Sequence, residues 1–226
     1  MAQDSGAETG KQENAVEQAS RSLREAILSG VFRPGERLKL ASLTEMLDCS
    51  VMPLREALRL LEGQGLIEFN PNKGAVVRRI DRAYITDIYD LNTELRVMAL
   101  RNLRYTLTLD RIERLAACQR AYDAAVSAGD DEAALNENRR FNSLLVEFGG
   151  NAEALRIFVR GWEMIYAFRH SYGYGGTRRQ GLGVEMALIV NALRRHDFSE
   201  AEALLRMQNA AVMEDLFSRL PTSETT

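Results

Sequence analysis

The chain has 226 residues, of which 46% are hydrophobic and 27% charged, and it carries a formal net charge of −3. That length and composition suit one or two folded cores, and no apolar run approaches the roughly 20 residues of a membrane span. The opening MAQDSGAETGKQEN is polar with no apolar stretch behind it, unlike a secretory signal.

Residues 1–13 read as a disordered tail. Val16, Ala19, Leu23, Ala26 and Ile27 then recur at helical spacing until Gly30 stops them. RPGERL (33–38) reads as a Pro-Gly turn. Leu40, Leu43 and Leu47 give a second, short helix with Ser42 near its start. After the break Asp48-Cys49-Ser50, Ser50 is placed to cap a third helix, and Pro53 sits in its first turn, where a missing N–H costs nothing. Leu54, Leu58 and Leu61 are its apolar stripe, and Gly63 and Gly65 end it. GLIEF and AVVRR are β-rich and joined by the turn-forming NPNKG. The order over residues 14–80 is that of a winged helix-turn-helix. Residues 21–80 hold ten bases against seven acids, which makes them +3 and leaves −6 for the rest. A mildly basic head suits DNA, although ordinary charge scatter produces the same difference.

Beyond Arg82 the strands stop. Ile85, Ile88, Tyr89, Leu95 and Met98 open a long helix, and Leu107–Asp110 breaks it with an N-cap at Thr108 or Asp110. Further helices are predicted at about 110–128, 131–148, 151–171, 181–195 and 198–219. The glycine-rich SYGYGGTRRQG (171–181) lacks the strand-then-helix setting of a phosphate cradle. Cys49 and Cys118 lie far apart in helical patterns and read as reduced thiols of a cytoplasmic protein. The expected fold class is mainly α: an N-terminal winged helix-turn-helix, then an all-α bundle of about six helices over residues 83–220.

The run from LREAILSG through PGERL, PLREAL and GLIEFNPNKG (23–77) resembles the winged-helix head of GntR-type bacterial transcription regulators. The helical body, through FGGN (148–151) and a final helix after HDFSEAEA, resembles the FCD effector domain of their FadR branch. The resemblance implies a homodimer on a palindromic operator in double-stranded DNA and a small acid bound in the bundle. It places Arg55 at the family's DNA-contacting arginine, able to fork onto guanine or clasp a phosphate. Arg59 is expected on phosphate, or paired with Glu56 or Glu62. Lys73 and Gly74 fall at the groove-probing wing tip, and Ser42 and Thr44 at positions able to donate to phosphates.

Two departures from the family stand out. Val51-Met52 replace the Arg-Thr of many relatives, removing a base-reading arginine. Three accounts are open: the pair reads thymine methyls, affinity rests on Arg55 and the wing, or specific reading is lost. One bidentate contact is worth roughly 1–3 kcal/mol of discrimination, against a specific–non-specific gap of roughly 4–10 kcal/mol, so specific binding can survive. In the body, FCD domains often hold a metal on an aspartate and three histidines. The matching positions here carry Asn138, Asn142, Met186 and Gln208, none a good ligand for a zinc-type ion, and His170 and His196 match none of them. No metal or other cofactor is expected.

Asn92 stands where relatives often have an arginine, and Arg96 where they have an acid, so a cation still reaches the implied pocket. Asn92, Arg96, Asn138, Asn142, Met186 and Gln208 are the candidate effector residues. The other reading is that these groups only satisfy one another. An organic acid is one ligand class this admits; a neutral or larger apolar ligand is another. Nothing nominates a nucleophile or general base, so an enzyme is not expected. The competing reading to a metabolite-sensing regulator is a metabolite-binding or scaffold protein whose head has lost DNA specificity.

Overall fold

The computed structural model describes residues 5–33, 35–78 and 81–220, and the side chains of these apart from 5–14, 28, 167, 170 and 171. The chain divides into two compact units, Met1–Asp81 and Arg82–Thr226.

The first unit contains α1 (Ser5–Leu28), α2 (Leu40–Leu47), α3 (Val51–Gln64), β1 (Ile67–Asn70) and β2 (Gly74–Val77). α1 starts earlier than the periodicity predicted: residues 5–13, expected to be a tail, are helical. Five of these nine residues, Ala7, Glu8, Lys11, Gln12 and Glu13, are good helix formers, against the poor formers Gly6 and Gly10. Residues 1–4 of the expected tail lie outside the described residues. α1 packs on α3, and Ala19, Leu23 and Ile27, one turn apart, are its buried stripe. α3 buries Pro53, Leu54, Ala57, Leu58 and Leu61; Gly63 stays inside the helix, and Gly65 ends it at φ 83. α2 buries only Leu43.

β1 and β2 pair antiparallel from Ile67 opposite Val77 to Asn70 opposite Gly74. The turn between them is closed by Asn70, whose side chain accepts from the Asn72 N–H at 3.1 Å and whose carbonyl accepts from Lys73 at 3.1 Å. RPGERL is more than a turn. The N–H groups of Gly35 and Leu38 donate to Val77 and Ala75 at 2.8 Å each, and Arg37 bridges Val76. The free edge of β2 is thereby covered, as exposed strand edges need to be.

The second unit contains α4 (Arg82–Leu103), α5 (Leu109–Ala128), α6 (Asp131–Phe148), α7 (Ala152–Tyr172), α8 (Arg178–Arg194) and α9 (Phe198–Phe217). Side chains of Thr108, Asp130, Asn151 and Asp197 accept from backbone N–H groups at the starts of α5, α6, α7 and α9. Each such cap contributes roughly 1 kcal/mol. α8 begins three residues before the predicted 181. Arg178 forks onto Glu185, two turns on, at 2.7 and 2.5 Å, which ties down that first turn. The glycine-rich loop is therefore short, Gly173 to Thr177. Among the described residues no helix is long and apolar enough to cross a membrane.

α4 is central, packing against α6, α7 and α9. Its approach to the end of α6 depends on Gly149, where an added Cβ would lie 2.6 Å from the Cα of Ala99. Backbone cannot yield as a flexible side chain does, so Gly149→Ala is expected to destabilise the fold by about 1–3 kcal/mol, as overpacking does. Urea unfolding of the variant checks this, and a change below about 0.5 kcal/mol would show that the contact relaxes freely.

Candidate nucleic-acid interface and ligand cavity

In the first unit, α3 presents Val51 and Met52 to solvent on its first turn, 46% and 60% exposed. Arg55, one turn on, is exposed and makes no ion pair or hydrogen bond among the described residues. Arg59 pairs with Glu56 at 3.1 Å, the other role its sequence allowed. Its side chain is 71% exposed, and a pair so exposed is worth at most about 1 kcal/mol, so a phosphate can displace it.

Between α3 and the wing lies a groove of about 620 Å³ whose wall carries Arg37, Lys39, Arg55, Arg59 and Lys73 and no acidic residue. Gly74, with φ 71, and the exposed Phe69 complete its wing side. A groove of one charge sign attracts a polyanion before any base is read. Arg37, Lys39 and Phe69 were not foreseen; the alternation of bases in ERLK, once RPGERL is known to run along β2, is the signal that marks the first two.

Three candidates, Ser50, Thr44 and Ser42, lie outside the groove wall. Ser50 occupies the N-cap position of α3 but its side chain makes no capping hydrogen bond, so its exposed hydroxyl is uncommitted. The Thr44 hydroxyl donates to the Ala41 carbonyl at 2.7 Å, which leaves it no proton for a phosphate. Ser42 is exposed on α2 outside the groove wall.

In the second unit one cavity lies among the helices. α4 contributes Tyr89, Asn92 and Arg96; α6 Asn138 and Asn142; α7 Phe158, Trp162 and Ile165. Leu182 of α8, Gln208, Asn209 and Val212 of α9, and Tyr174 of the glycine-rich loop close it. Five of the six candidate residues thus share one wall system. Met186 does not: it is fully buried, but the wall at α8 is Leu182, one turn earlier, and Met186 belongs to the core of a helix that packs on α5 and α9. Tyr89 was legible as the residue three before Asn92 on the same face of α4. Phe158, Trp162 and Ile165 carry the 4–3 spacing of a helix face but no mark of a cavity. The cavity is partly open to solvent and has a free volume of about 30 Å³. That is room for roughly two waters.

Arg96 dominates its electrostatics. The residue is 6% exposed. Its Nη1 donates to Asn142 Oδ1 at 2.9 Å and Gln208 Oε1 at 3.0 Å, and its Nη2 to Thr93 Oγ1 at 3.0 Å. Every partner is neutral. Burial pushes its pKa down to about 10, which still leaves it charged at neutral pH. A buried charge without a counter-ion costs several kcal/mol. The other buried arginine, Arg169, illustrates the usual solution, pairing with Asp215 at 2.6 Å. The Arg96 Nε, Gln208 Nε2 and Trp162 Nε1 donors are buried with no partner, as are both amide atoms of Asn92.

These residues do not fit a metal ion. The amide oxygens of Asn142 and Gln208 already accept from Arg96, and Asn138 Oδ1 accepts from Asn142 Nδ2 at 2.8 Å. A divalent cation would have to share neutral oxygens with a guanidinium. Among the described residues no three His, Cys, Asp or Glu side chains gather into a metal-binding group.

Tyr174 is held from several sides. Asn138 hydrogen-bonds to its hydroxyl, and Arg169 lies over its ring at 4.3 Å. Burial pushes the Tyr174 hydroxyl well above its ordinary pKa, a rise that nearby Arg169 partly offsets. Asp215 also accepts from the Gly175 N–H at 2.9 Å, tying the loop to α9.

Comparison with known proteins agrees with both units. Residues 15–77 match the family described as bacterial regulatory proteins, gntR family, and residues 87–209 match the FCD domain. The uncharacterized HTH-type transcriptional regulator YdhC of Bacillus subtilis is 26% identical over 158 residues, 70% of each chain. The HTH-type transcriptional regulator McbR of Escherichia coli is 28% identical over 124 residues, 55% of this chain and 56% of its own. Among solved structures, McbR superposes with a TM-score of 0.69 at 21% identity, covering 90% of this chain and 97% of that one. Lar, described as controlling expression of the Listeria monocytogenes agr system, superposes at 0.71 with 19% identity over 90% and 96%. At these identities the superpositions speak for the fold alone. The domain matches carry the assignment: with a winged head and an FCD body in one chain, the protein belongs to the GntR family of bacterial regulators and is a DNA-binding transcription regulator, not an enzyme.

Proposed function

We propose that the protein is a homodimeric regulator that binds a palindromic operator and whose grip on that operator responds to a small organic acid held at Arg96, without a metal. The observation that carries this is the buried Arg96 guanidinium with only neutral partners. A carboxylate supplies the missing charge and can accept from the unpaired donors of Arg96, Gln208 and Trp162. In the head, Arg55 reads a base, Arg59 and Lys73 hold phosphates, and Val51 and Met52 offer apolar contact to thymine methyls. The uncommitted Ser50 hydroxyl and the exposed Ser42 are placed for further backbone contacts. Ligand and operator affect each other's affinity by the same factor, because the coupling is a single free energy.

Selection of genomic fragments on the purified protein, followed by affinities at two salt concentrations, tests this. The expected result is a palindromic site, bound by two chains, that outcompetes bulk DNA. Salt-sensitive binding with no preferred sequence would mean that only the phosphate contribution survives, and would favour a ligand-binding or scaffold protein with a head that no longer discriminates.

A further inference from the structure

From Asn92 we infer that the ligand of the Arg96 cavity is an acid bearing an amide-type edge, a primary amide, lactam or ureide, on an apolar body. This rests on the reading of Arg96 as a carboxylate anchor. Asn92 is 2% exposed and lines the cavity. Neither its Nδ2 nor its Oδ1 has a partner. Polar groups so deeply buried are nearly always satisfied, so a side chain with both atoms unpaired needs a reason.

The facing helix leaves room for it. Gly161 of α7 lies against Asn92, and a Cβ there would sit 2.6 Å from Nδ2 and 2.8 Å from Oδ1. Any other residue would push the amide out of its present position. Asn92 and Arg96 are one helical turn apart on α4 and therefore neighbours. One ligand can engage both.

The chemistry of the edge discriminates among ligands. Asn92 offers a donor and an acceptor side by side in one plane. A hydroxyl meets one of them well but not both together. A second carboxylate only accepts, and would leave Oδ1 facing an anion. An ammonium group would stand beside the Arg96 charge. An amide, lactam or ureide presents an acceptor and a donor side by side and satisfies both. One side of the wall is apolar: Phe158 and Trp162, with ring centroids 5.7 Å apart, and Ile165, Leu182 and Val212. A flat or aromatic body suits it. Arg96 is the one charged side chain in the wall, which favours a monoanion.

The test measures binding to the full-length protein by calorimetry, using benzoate, its meta- and para-carbamoyl derivatives, and the corresponding methyl ketones, which accept but do not donate. The expected result is that one carbamoyl acid binds about tenfold more tightly than benzoate and its ketone, a gain of the size that a satisfied buried hydrogen bond gives. Asn92→Ala and, independently, Gly161→Ala are expected to erase that preference, read as the ratio of carbamoyl-acid to benzoate affinity within each variant. Arg96→Met is expected to lose all the acids. Equal affinities in the wild type, or a preference that survives in both Asn92→Ala and Gly161→Ala, overturns the role of Asn92 and leaves the carboxylate anchor standing. Absence of binding by every acid, or benzoate binding indifferent to Arg96→Met, overturns the anchor itself and this inference with it.

Discussion

Asp215→Ala is expected to lower the stability of the helical unit by about 3–5 kcal/mol, the cost of leaving a buried charge without its partner. The Arg169 side chain is fully buried and its Nη1 sits 2.6 Å from Asp215 Oδ2. The carboxylate also accepts from the Gly175 N–H at 2.9 Å and approaches Arg219 Nε at 3.5 Å. Its removal therefore leaves a buried cation and a loop N–H unpaired together. Arg169 keeps its bonds to the Val212 and Gly173 carbonyls, at 2.7 and 3.0 Å, so local hydrogen bonding survives while charge balance does not. Asp215→Asn retains an acceptor for Gly175 and is expected to cost less. Urea unfolding followed by helical signal measures both variants. A loss for Asp215→Ala below about 1 kcal/mol, the range of exposed pairs, would show that the pair is solvated.

Arg55→Ala is expected to weaken operator binding by about 1–3 kcal/mol, roughly 5- to 150-fold, while changing affinity for random DNA much less. The difference from Arg59 is instructive. Arg59 begins paired to Glu56, whereas Arg55 has no intramolecular partner to give up. With Val51 and Met52 ahead of it on α3, Arg55 is the first charged side chain the helix offers to a groove. Titration of the selected operator and a scrambled duplex, at matched salt, separates the effects. An equal loss on both would make Arg55 a phosphate contact and leave sequence reading to Val51, Met52 and the wing.

The winged head was legible because its punctuation is local. Gly30, the Pro-Gly turn, Pro53, Gly65 and the NPNKG turn each act within a few residues. The helices of the body were bounded by equally local signals, such as the cap at Thr108 and the stop at Gly149. What escaped was set at long range. Asp215 meets Arg169 across 46 positions, and no periodicity encodes such a pairing; Gln208 and Arg96, 112 positions apart, were brought together only by the family resemblance. The pairing of Gly35–Leu38 along β2 was hidden for the same reason, since a strand partner is known only once the sheet exists. Met186 shows the limit from another side. Its position in a helix was readable, but which of two neighbouring turns faces the cavity depends on how α8 rotates against α9.

The free room in the cavity bears on the order of events in recognition. It holds roughly two waters, and Tyr174, tied through Gly175 to Asp215, is part of the wall. If a metabolite binds here, as proposed, the wall has to give way to it. The rate of binding is then expected to rise with concentration and to level off where movement of the wall, not encounter, sets the pace.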